Sequence, residues 1–401
     1  MEHKFFREDK CTRCGECLTR CQYMELTRAE AIAEVKRLIA GEATRVAQRK
    51  CISCYACNAF CPEDAHPYEL MLEAGEARYR RAGLPRRAWY LMPYHTPNYR
   101  EDMEADMSPR ERELLARWKK AEPAGEVLYP GCNLLTVPSL FDLPVFDDLP
   151  VAGDWSLCCG EPFYRGGMFP VMEEIAAGLT RYYADKKIDK MVFVCPACMN
   201  MFRTVLPGQF GARFGFECEY LVTWLLRRMD AGEIKIARPL SGEVTVHDSC
   251  HGRVLGAEVM DPNRELLRRL GLTVVNMKRH HQEGLCCGIA AGLNRFMPQD
   301  IMAASRRELR EARNTGAPEL AIYCTGCYLM LNIMNHAVRS PQRLVHTLEY
   351  LGEALGRPGP RVVVPRTRKI LWNVTTRAVP KLLSPEKRHV TGFRVGPKKK
   401  E

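Results

Sequence analysis

Short apolar runs alternate with helical stretches over the larger, C-terminal part of the chain. Each run has the length of a buried strand, and the four lie at 126–129, 191–194, 244–246 and 320–323. Helices are predicted at 171–185 and 299–313, between the first and second runs and between the third and fourth. Strands that alternate with helices predict α/β units, whose functional loops follow the carboxyl ends of parallel strands.

The N-terminal part of the chain predicts helices alone. Thr27 and Glu30 form a capping-box pattern, apolar residues line one helical face from Ile32 to Ile39, and Gly41 supplies a stop. A second helical piece runs on from Tyr68. We therefore expect an α-helical module at 1–85.

A polar, proline-punctuated segment without cysteine follows at 86–124 and predicts a linker. Within it we expect a solvated helix from Arg110 to Lys120. Tyr94, His95 and Tyr99 are candidates to line a site, although surface or packing roles suit them better.

The two α/β units repeat one arrangement of five cysteines. The sets are Cys132, Cys158, Cys159, Cys195 and Cys198, then Cys250, Cys286, Cys287, Cys324 and Cys327. Corresponding members lie 129, 128 and 118 residues apart, measured from Cys195, Cys158 and Cys132. These offsets indicate a duplication, with units at 125–238 and 239–360 that meet about a pseudo-twofold axis and place two metal sites near the seam.

Composition places the chain among cytoplasmic redox or metal proteins. No apolar run is long enough to span a bilayer, and the charged start has no signal-peptide pattern behind it. Nineteen cysteines in a reducing compartment indicate metal or redox work, because structural disulfides do not persist there. Eighteen fall into four sets, and the remaining Cys218 is expected to be an inert, buried thiol.

The positive charge is concentrated at the end of the chain. The net charge is +11, and the segment 361–401 holds twelve Lys or Arg against two Glu. This basic tail is either a partly disordered extension or a docking arm for an acidic partner subunit. Its apolar patches at 362–364 and 370–372 favour docking. A membrane-surface role is weaker, because Pro365 and Pro380 interrupt the helix. No reading motif accompanies the charge, so we expect no nucleic acid.

Two cysteine runs in the helical module read C-x2-C-x2-C-x3-C, a spacing typical of bacterial ferredoxins. In that pattern the fourth cysteine of each run binds the other cluster. One cubane [4Fe-4S] cluster is therefore expected on Cys11, Cys14, Cys17 and Cys61. The second is expected on Cys51, Cys54, Cys57 and Cys21. A zinc ribbon explains the runs less well, because it uses two C-x-x-C knuckles.

Each α/β unit also carries two adjacent cysteines followed by glycine. Adjacent side chains in a strand point to opposite faces, so both thiols reach one ligand only where the backbone turns. The glycine permits that turn. Five thiols exceed the four that a structural zinc site needs, which indicates a larger cofactor.

A cysteine, then Cys-Cys-Gly, then Cys-x-x-Cys resembles the CCG-domain family of iron–sulfur proteins. Behind a two-cubane module, the layout is similar to the D subunits of heterodisulfide reductases and to the iron–sulfur subunits of anaerobic glycerol-3-phosphate dehydrogenases. The resemblance runs from the first cysteine to about residue 355. It implies an α+β multidomain fold, in which an α-helical two-[4Fe-4S] ferredoxin module is followed by two pseudo-symmetric α/β CCG domains.

The resemblance also implies cofactors and a reaction. Each five-cysteine set would hold a non-cubane [4Fe-4S] cluster, with zinc in one set as the alternative. The chain would be an oxidoreductase subunit whose two non-cubane clusters reduce a disulfide or a similar two-electron acceptor. The alternative is a pure relay to or from a quinone, a flavin subunit or another partner. No nucleotide-binding fingerprint is present, so a flavin-containing or membrane cytochrome subunit would be the electron partner.

Basic side chains cluster in sequence around the second set, namely His247, His251, Arg253, Lys278, Arg279, His280 and His281. A histidine could protonate a leaving thiolate, and the cations could hold carboxylates or phosphates of a thiol coenzyme. For any single residue, donation to a cluster sulfur or a surface role explains it better.

Overall fold

The computed structural model describes residues 3–120 and 122–397. Its first part is helical, as predicted, with α1 Glu16–Thr19, α2 Arg28–Ile39, α3 Ala47–Lys50, α4 Ala56–Ala59 and α5 Pro67–Ala82. Thr27 and Glu30 make the expected capping box at the start of α2, and Gly41 takes a left-handed conformation just beyond its end. The buried side chains of α2 face a small core of their own with Phe6 and Leu18.

The segment 86–124 is folded onto the body of the protein. It follows β1 (Leu84–Pro85) and contains α6 (Tyr99–Ala105) and α7 (Pro109–Lys120). The predicted helix at 110–120 is present, but it is solvated on one side only. Leu114, Leu115 and Trp118 are buried, because this face packs on the turn at 138–141.

The first α/β unit is built on a parallel sheet of three strands. The strands are β2 Gly125–Tyr129, β3 Ile188–Phe193 and β4 Glu217–Tyr220, hydrogen-bonded in the order β2-β3-β4. Its helices are α8 Gly131–Leu134, α9 Glu161–Arg165, α10 Phe169–Tyr183, α11 Pro196–Asn200, α12 Leu206–Phe210 and α13 Leu221–Asp230. The strands at 126–129 and 191–194 and the helix at 171–185 were thus predicted to within a few residues.

The second α/β unit repeats this layout with one additional strand. Its strands are β5 Glu243–His247, β6 Thr273–Val274, β7 Glu319–Ile322 and β8 Arg343–His346, all parallel, in the order β6-β5-β7-β8. Its helices are α14 Cys250–Leu255, α15 Ala257–Arg269, α16 Ile289–Arg295, α17 Pro298–Arg313, α18 Thr325–Val338 and α19 Thr347–Ala354. The order β5-β7-β8 corresponds to β2-β3-β4 of the first unit.

In both units a cysteine loop directly follows the carboxyl end of a strand. Cys132 lies three residues beyond β2, and Cys250 lies three residues beyond β5. Cys195 and Cys324 each lie two residues beyond their strand, β3 or β7. The expectation that parallel strands deliver the cysteines to one edge of each sheet is confirmed.

The basic tail is packed against the protein, so the expectation of a partly disordered extension is wrong for residues 361–397. We call this segment the C-terminal strap. Its helix α20 (Val363–Arg377) packs against α18 and α6, and its strand β9 (Lys387–Arg388) pairs with β1. Arg366 forms a buried ion pair with Glu111, which explains how a basic segment can dock here. The last four residues of the predicted tail lie outside the described part.

None of the helices in the described ranges is both long enough and apolar enough to cross a membrane.

Candidate metal centres

The eight cysteines of the helical module form two groups of four. Cys11, Cys14, Cys17 and Cys61 line a single small cavity. Cys21, Cys51 and Cys57 surround Cys54: burial raises the pKa of each of these three thiols, and the nearby charge of Cys54 raises it further. In each group the fourth member comes from the other cysteine run, the exchange that the ferredoxin spacing predicts.

Left-handed residues allow each run to wrap around a common centre. Arg13 and Gly15 have positive φ in the first run, and Ser53 and Tyr55 have positive φ in the second. The residue after the second cysteine is left-handed in both and starts a short helix. A side chain in this region costs about 1 kcal/mol or more, so the strain at Tyr55 indicates that its surroundings fix this conformation.

The chemistry of these thiols fits a metal cluster. Burial raises the pKa of Cys17 and of Cys51 to about 12 and that of Cys21 to about 11. Metal binding requires thiolates, and a bound metal supplies the positive charge that lets buried thiols ionise.

In the first five-cysteine set, the tandem cysteines face different partners. Cys158 Sγ lies 3.7 Å from Cys132 Sγ, and Cys159 Sγ lies 3.6 Å from Cys198 Sγ. Gly160 has φ +80°, and a side chain there would come within 2.8 Å of Met172. The predicted turn at the Cys-Cys-Gly sequence is therefore present, and helix α10 packs directly against it.

The second set is organised in the same way. Gly288 has φ +102°, and a Cβ at this position would lie 2.8 Å from the carbonyl oxygen of Ile301 on α17. Ser305, also on α17, donates a hydrogen bond to the carbonyl of Cys287 (2.7 Å). The Cys286 N–H donates to the hydroxyl of Tyr23 (2.9 Å), which ties the set to the helical module.

A buried histidine adds a nitrogen donor to the second set. The Nε2 or Nδ1 atom of His247 and the sulfurs of Cys287 and Cys327 all lie within 4.8 Å of one another. His247 Nδ1 is 2.6 Å from Glu308, and Nε2 has no hydrogen-bond partner among the described residues. Burial lowers the pKa of His247, but Glu308 and Cys287 outweigh it and raise the pKa to about 10. Carboxylate–histidine pairs of this kind commonly support metal ligands.

The two sets touch at the boundary between the α/β units. Cys195 Sγ of the first set lies 3.8 Å from Cys324 Sγ of the second. Arg165, from the first unit, reaches across to Cys250 (Nη2 to Sγ 3.0 Å) and is buried. Its guanidinium also pairs with Glu161 and stacks 4.6 Å from the centre of the Tyr55 ring. One side chain therefore links both α/β units to the helical module.

The second set also lies beside the second ferredoxin group. Cys54 and Cys286 belong to one small buried cluster with Phe60 and Ala290. Arg253 donates from Nη1 to the carbonyl of Cys54 (2.7 Å). The positions of the cysteines thus form a row from the helical module through the second set to the first.

Residues from the predicted linker contact the cysteines of the first set and the loops that carry them. Arg100 Nη2 lies 3.4 Å from Cys132 Sγ, and Tyr99 donates its hydroxyl proton to Asn133 (2.8 Å). The hydroxyl of Tyr94 lies 3.1 Å from the carbonyl of Cys158, whereas His95 lies beside Arg388 of the strap. Sequence reasoning missed Arg100, because nothing in a polar segment without cysteine distinguished it from its neighbours.

Most of the basic residues predicted around the second set contact other protein groups. His251 contacts Glu161, Arg279 pairs with Glu311, and His281 pairs with Asp261. His280 contacts His281, and Lys278 is exposed. These contacts favour structural roles over recognition of a coenzyme phosphate.

A cavity of about 290 Å³ opens at the first set. Cys132, Cys159, Cys195 and Cys198 line one end of it. The remaining wall is mostly apolar and comes largely from α16, α17, α18 and the strap helix α20, with further residues from α6, α8 and α9. The two α/β units and the strap therefore enclose a site beside the point where the two cysteine sets meet.

A ferredoxin-type module joined to cysteine-rich α/β units defines an iron–sulfur redox protein. The chain matches the 4Fe-4S dicluster domain at residues 3–62 and the CCG cysteine-rich domain at 147–203 and 244–332. These matches place a two-cluster ferredoxin-type domain and two cysteine-rich CCG stretches in the chain.

Three curated relatives show the range of similar proteins. The D subunit of dihydromethanophenazine:CoB–CoM heterodisulfide reductase from Methanosarcina barkeri is 25% identical over 87% of this chain and 94% of its own length. The B subunit of fumarate reductase (CoM/CoB) from Methanothermobacter marburgensis is 27% identical over 44% of this chain and 34% of its own. The EtfAB:quinone oxidoreductase of Syntrophomonas wolfei is 22% identical over 47% and 27%. The chain is thus an iron–sulfur redox protein related to oxidoreductase subunits.

Proposed function

We propose that this chain receives single electrons at the helical module and uses two metal centres at the CCG sets to reduce a disulfide or a similar two-electron acceptor. For a disulfide the balance is RSSR′ + 2 e⁻ + 2 H⁺ → RSH + R′SH. The electrons would come from a flavin-containing or cytochrome partner subunit. The observation that carries this proposal is the contact of Cys195 with Cys324, because Cys195 also lines the cavity and so connects the second set to it.

The residues divide into four donor sets. Cubane clusters would be held by Cys11, Cys14, Cys17 and Cys61 and by Cys21, Cys51, Cys54 and Cys57. Non-cubane clusters would be held by Cys132, Cys158, Cys159, Cys195 and Cys198 and by Cys250, Cys286, Cys287, Cys324 and Cys327. Such clusters supply one electron at a time, and two are needed to split a disulfide. We further propose that the two CCG units, 125–238 and 239–360, are related by a pseudo-twofold axis.

The row of cysteine groups supports electron flow from the helical module toward the cavity. The first ferredoxin group lies close to the second: burial raises the pKa of Cys57, and the charges of Cys51 and of Cys17, a member of the first group, add to that rise. The second group borders Cys286. The first CCG set lies furthest along this row and, among the described residues, supplies all the cysteines of the cavity wall. The acceptor would therefore react at the first set.

A second candidate function is a pure relay with zinc at the second CCG set. The nitrogen donor of His247, supported by Glu308 and close to Cys287 and Cys327, favours it. Zinc binds such mixed sulfur and nitrogen sets tetrahedrally. Zinc does not change oxidation state, so this version leaves no two-electron chemistry at the cavity.

The strap supports the proposal that this chain binds an acidic partner subunit. Trp372 is 69% exposed and Leu383 is 96% exposed, and the exposed cations Arg361, Arg368 and Lys387 share the same segment. A segment that exposes both apolar side chains and cations suits an acidic protein surface.

Iron, sulfide and zinc per chain in anaerobically purified protein test the proposal. About sixteen irons are expected for four clusters. About twelve irons with one zinc would contradict disulfide reduction at two clusters and support the pure relay instead. A four-cluster protein that, once reduced, is oxidised by quinone or flavin but by no thiol-coenzyme disulfide would refute disulfide reduction.

A further inference from the structure

The cavity beside the first CCG set has two chemically different ends. One end carries the thiols together with polar side chains that include Arg100, Asn133, Glu161 and Thr325. The other end is apolar and extends along α18 and α20, where its lining includes Leu329, Ile370 and Val374. This division is a property of the cavity itself and does not depend on which reaction occurs there.

Two of the polar side chains at the thiol end, Arg100 and Thr325, have hydrogen-bonding atoms without a protein partner, whereas Asn133 binds Tyr99 and Glu161 binds Arg165. Arg100 is 4% exposed, and its Nε and Nη1 atoms make no hydrogen bond within the described part of the chain. Thr325 is fully buried, and its hydroxyl is also without a partner there. Buried donors that stay unsatisfied cost about 1–3 kcal/mol each. Both residues line the cavity, so an acceptor atom placed between them would satisfy them.

The polar side chains toward the apolar end already have partners in the protein. Arg87 donates to the carbonyls of Phe296 (2.9 Å) and Arg295 (3.1 Å), and Thr375 donates to the carbonyl of Leu371 (2.8 Å). A polar or highly charged coenzyme arm would lose its hydration here without compensation. Methionines adapt to irregular ligands, and the apolar lining includes four of them, Met297, Met302, Met330 and Met334.

We propose that the acceptor is an amphiphile, with a redox-active head that accepts hydrogen bonds and an apolar tail several carbons long. The head binds Arg100 and Thr325 beside the thiols of the first set, and the tail lies between α18 and α20. A disulfide with an aliphatic arm and an alkyl quinone share this chemistry. The inference rests on the proposed function for the site of reaction, but it concerns binding alone.

A chain-length series tests it on the full-length resting protein without an electron donor. Methyl alkyl disulfides and alkyl benzoquinones with one to eight carbons are bound, and the dissociation constant is read by calorimetry. Affinity is expected to rise roughly fourfold for each methylene until the cavity is filled. Glutathione disulfide and cystine are expected to bind at least about tenfold more weakly than the hexyl disulfide, because their charged arms would lose hydration.

Two variants on the same helix locate the tail. Val374→Trp fills the apolar end and should abolish the dependence on chain length. Thr376→Trp places the same side chain on the exposed face of α20 and should leave the dependence unchanged.

Thr325→Val removes the unpartnered hydroxyl without changing volume. This variant should lower the affinity for every ligand in the series by the same factor and leave the increase in affinity per methylene unchanged.

The possible outcomes are distinct. An affinity that does not rise with chain length, or a Val374→Trp variant that retains the slope, would overturn the inference. So would tighter binding of glutathione disulfide than of the hexyl compound. An electron donor is then added, and whichever head group is reduced, disulfide or quinone, identifies the class of acceptor. Tail-dependent binding without reduction of either head would refute the proposed function and support this inference.

Discussion

The buried ion pair between Arg366 and Glu111 offers a sharp test of how the strap closes the cavity. The side chains are 7% and 1% exposed, and Arg366 Nη1 lies 2.7 Å from Glu111 Oε1. Arg366 also donates to the carbonyl of Thr136 (2.9 Å). Arg366→Met keeps most of the packing volume and leaves the carboxylate with only its contacts to Ser108 among the described residues.

We expect this change to cost about 3–5 kcal/mol, because it leaves a buried charge unpaired. The cost is limited by the strap's own docking energy, since α20 can detach before the body unfolds. Val363 and Ile370 are its large buried aliphatic side chains, and each contributes roughly 1.5–3 kcal/mol. The variant should therefore release the strap at neutral pH and open one wall of the cavity.

Limited proteolysis of residues 361–397 measures the release, and denaturant unfolding measures the remaining stability. Arg377→Met is the matched control, because its partner Asp102 holds it in an exposed pair worth less than about 1 kcal/mol. Equal protease resistance of the Arg366→Met variant and the control would refute the view that this pair fastens the strap.

The pair also predicts a pH dependence. Burial alone would raise the pKa of Glu111, but the Arg366 guanidinium outweighs it and holds the pKa below its usual 4.5. A lowered carboxyl pKa gives stability that is present at neutral pH and is lost as the pH falls below about 4.5. The stability difference between the natural chain and Arg366→Met should therefore shrink in that acidic range.

Three further predictions concern the cysteine sites. Gly288→Ala should prevent metal loading at the second CCG set, because the added Cβ would meet the Ile301 carbonyl. The measurement is iron per chain. Gly316→Ala is the control, because Gly316 also has a positive φ (+80°) but faces open space. Glu308→Gln should weaken metal retention at the second set by about 10–100-fold in a chelator competition, since the carboxylate supports His247; unchanged retention would contradict that role. Cys61→Ser should remove the electron paramagnetic resonance signal of one cubane cluster and keep the other, whereas loss of both signals would contradict the division into two groups.

Much of the fold could be predicted, because its local signals are strong. The capping box at Thr27, the four apolar runs and the Cys-Cys-Gly turns each depend on residues that are close together in sequence. The exchange of Cys21 and Cys61 between the ferredoxin groups followed from a known spacing. Each of these features is favoured by residues that lie close together in the sequence.

The remaining features depend on contacts between distant segments. Arg100 lies at the first set only because α6 packs beside the loop after β2. The basic tail was read as either a partly disordered extension or a docking arm for a partner, whereas Arg366 pairs with a buried carboxylate 255 residues earlier in the same chain. The basic cluster near the second set left coenzyme binding open as the less favoured interpretation, and in the structure Glu161, Asp261 and Glu311 contact three of its members. Charge alone did not show which cations had partners.

An iron anomalous-difference map of anaerobically grown crystals tests the central claim most directly, since it locates the metal at each cysteine set. We predict iron density for four clusters, two in the helical module and two that flank the contact between Cys195 and Cys324. Iron confined to the module, with Cys158 and Cys159 or Cys286 and Cys287 joined as disulfides, would contradict the account.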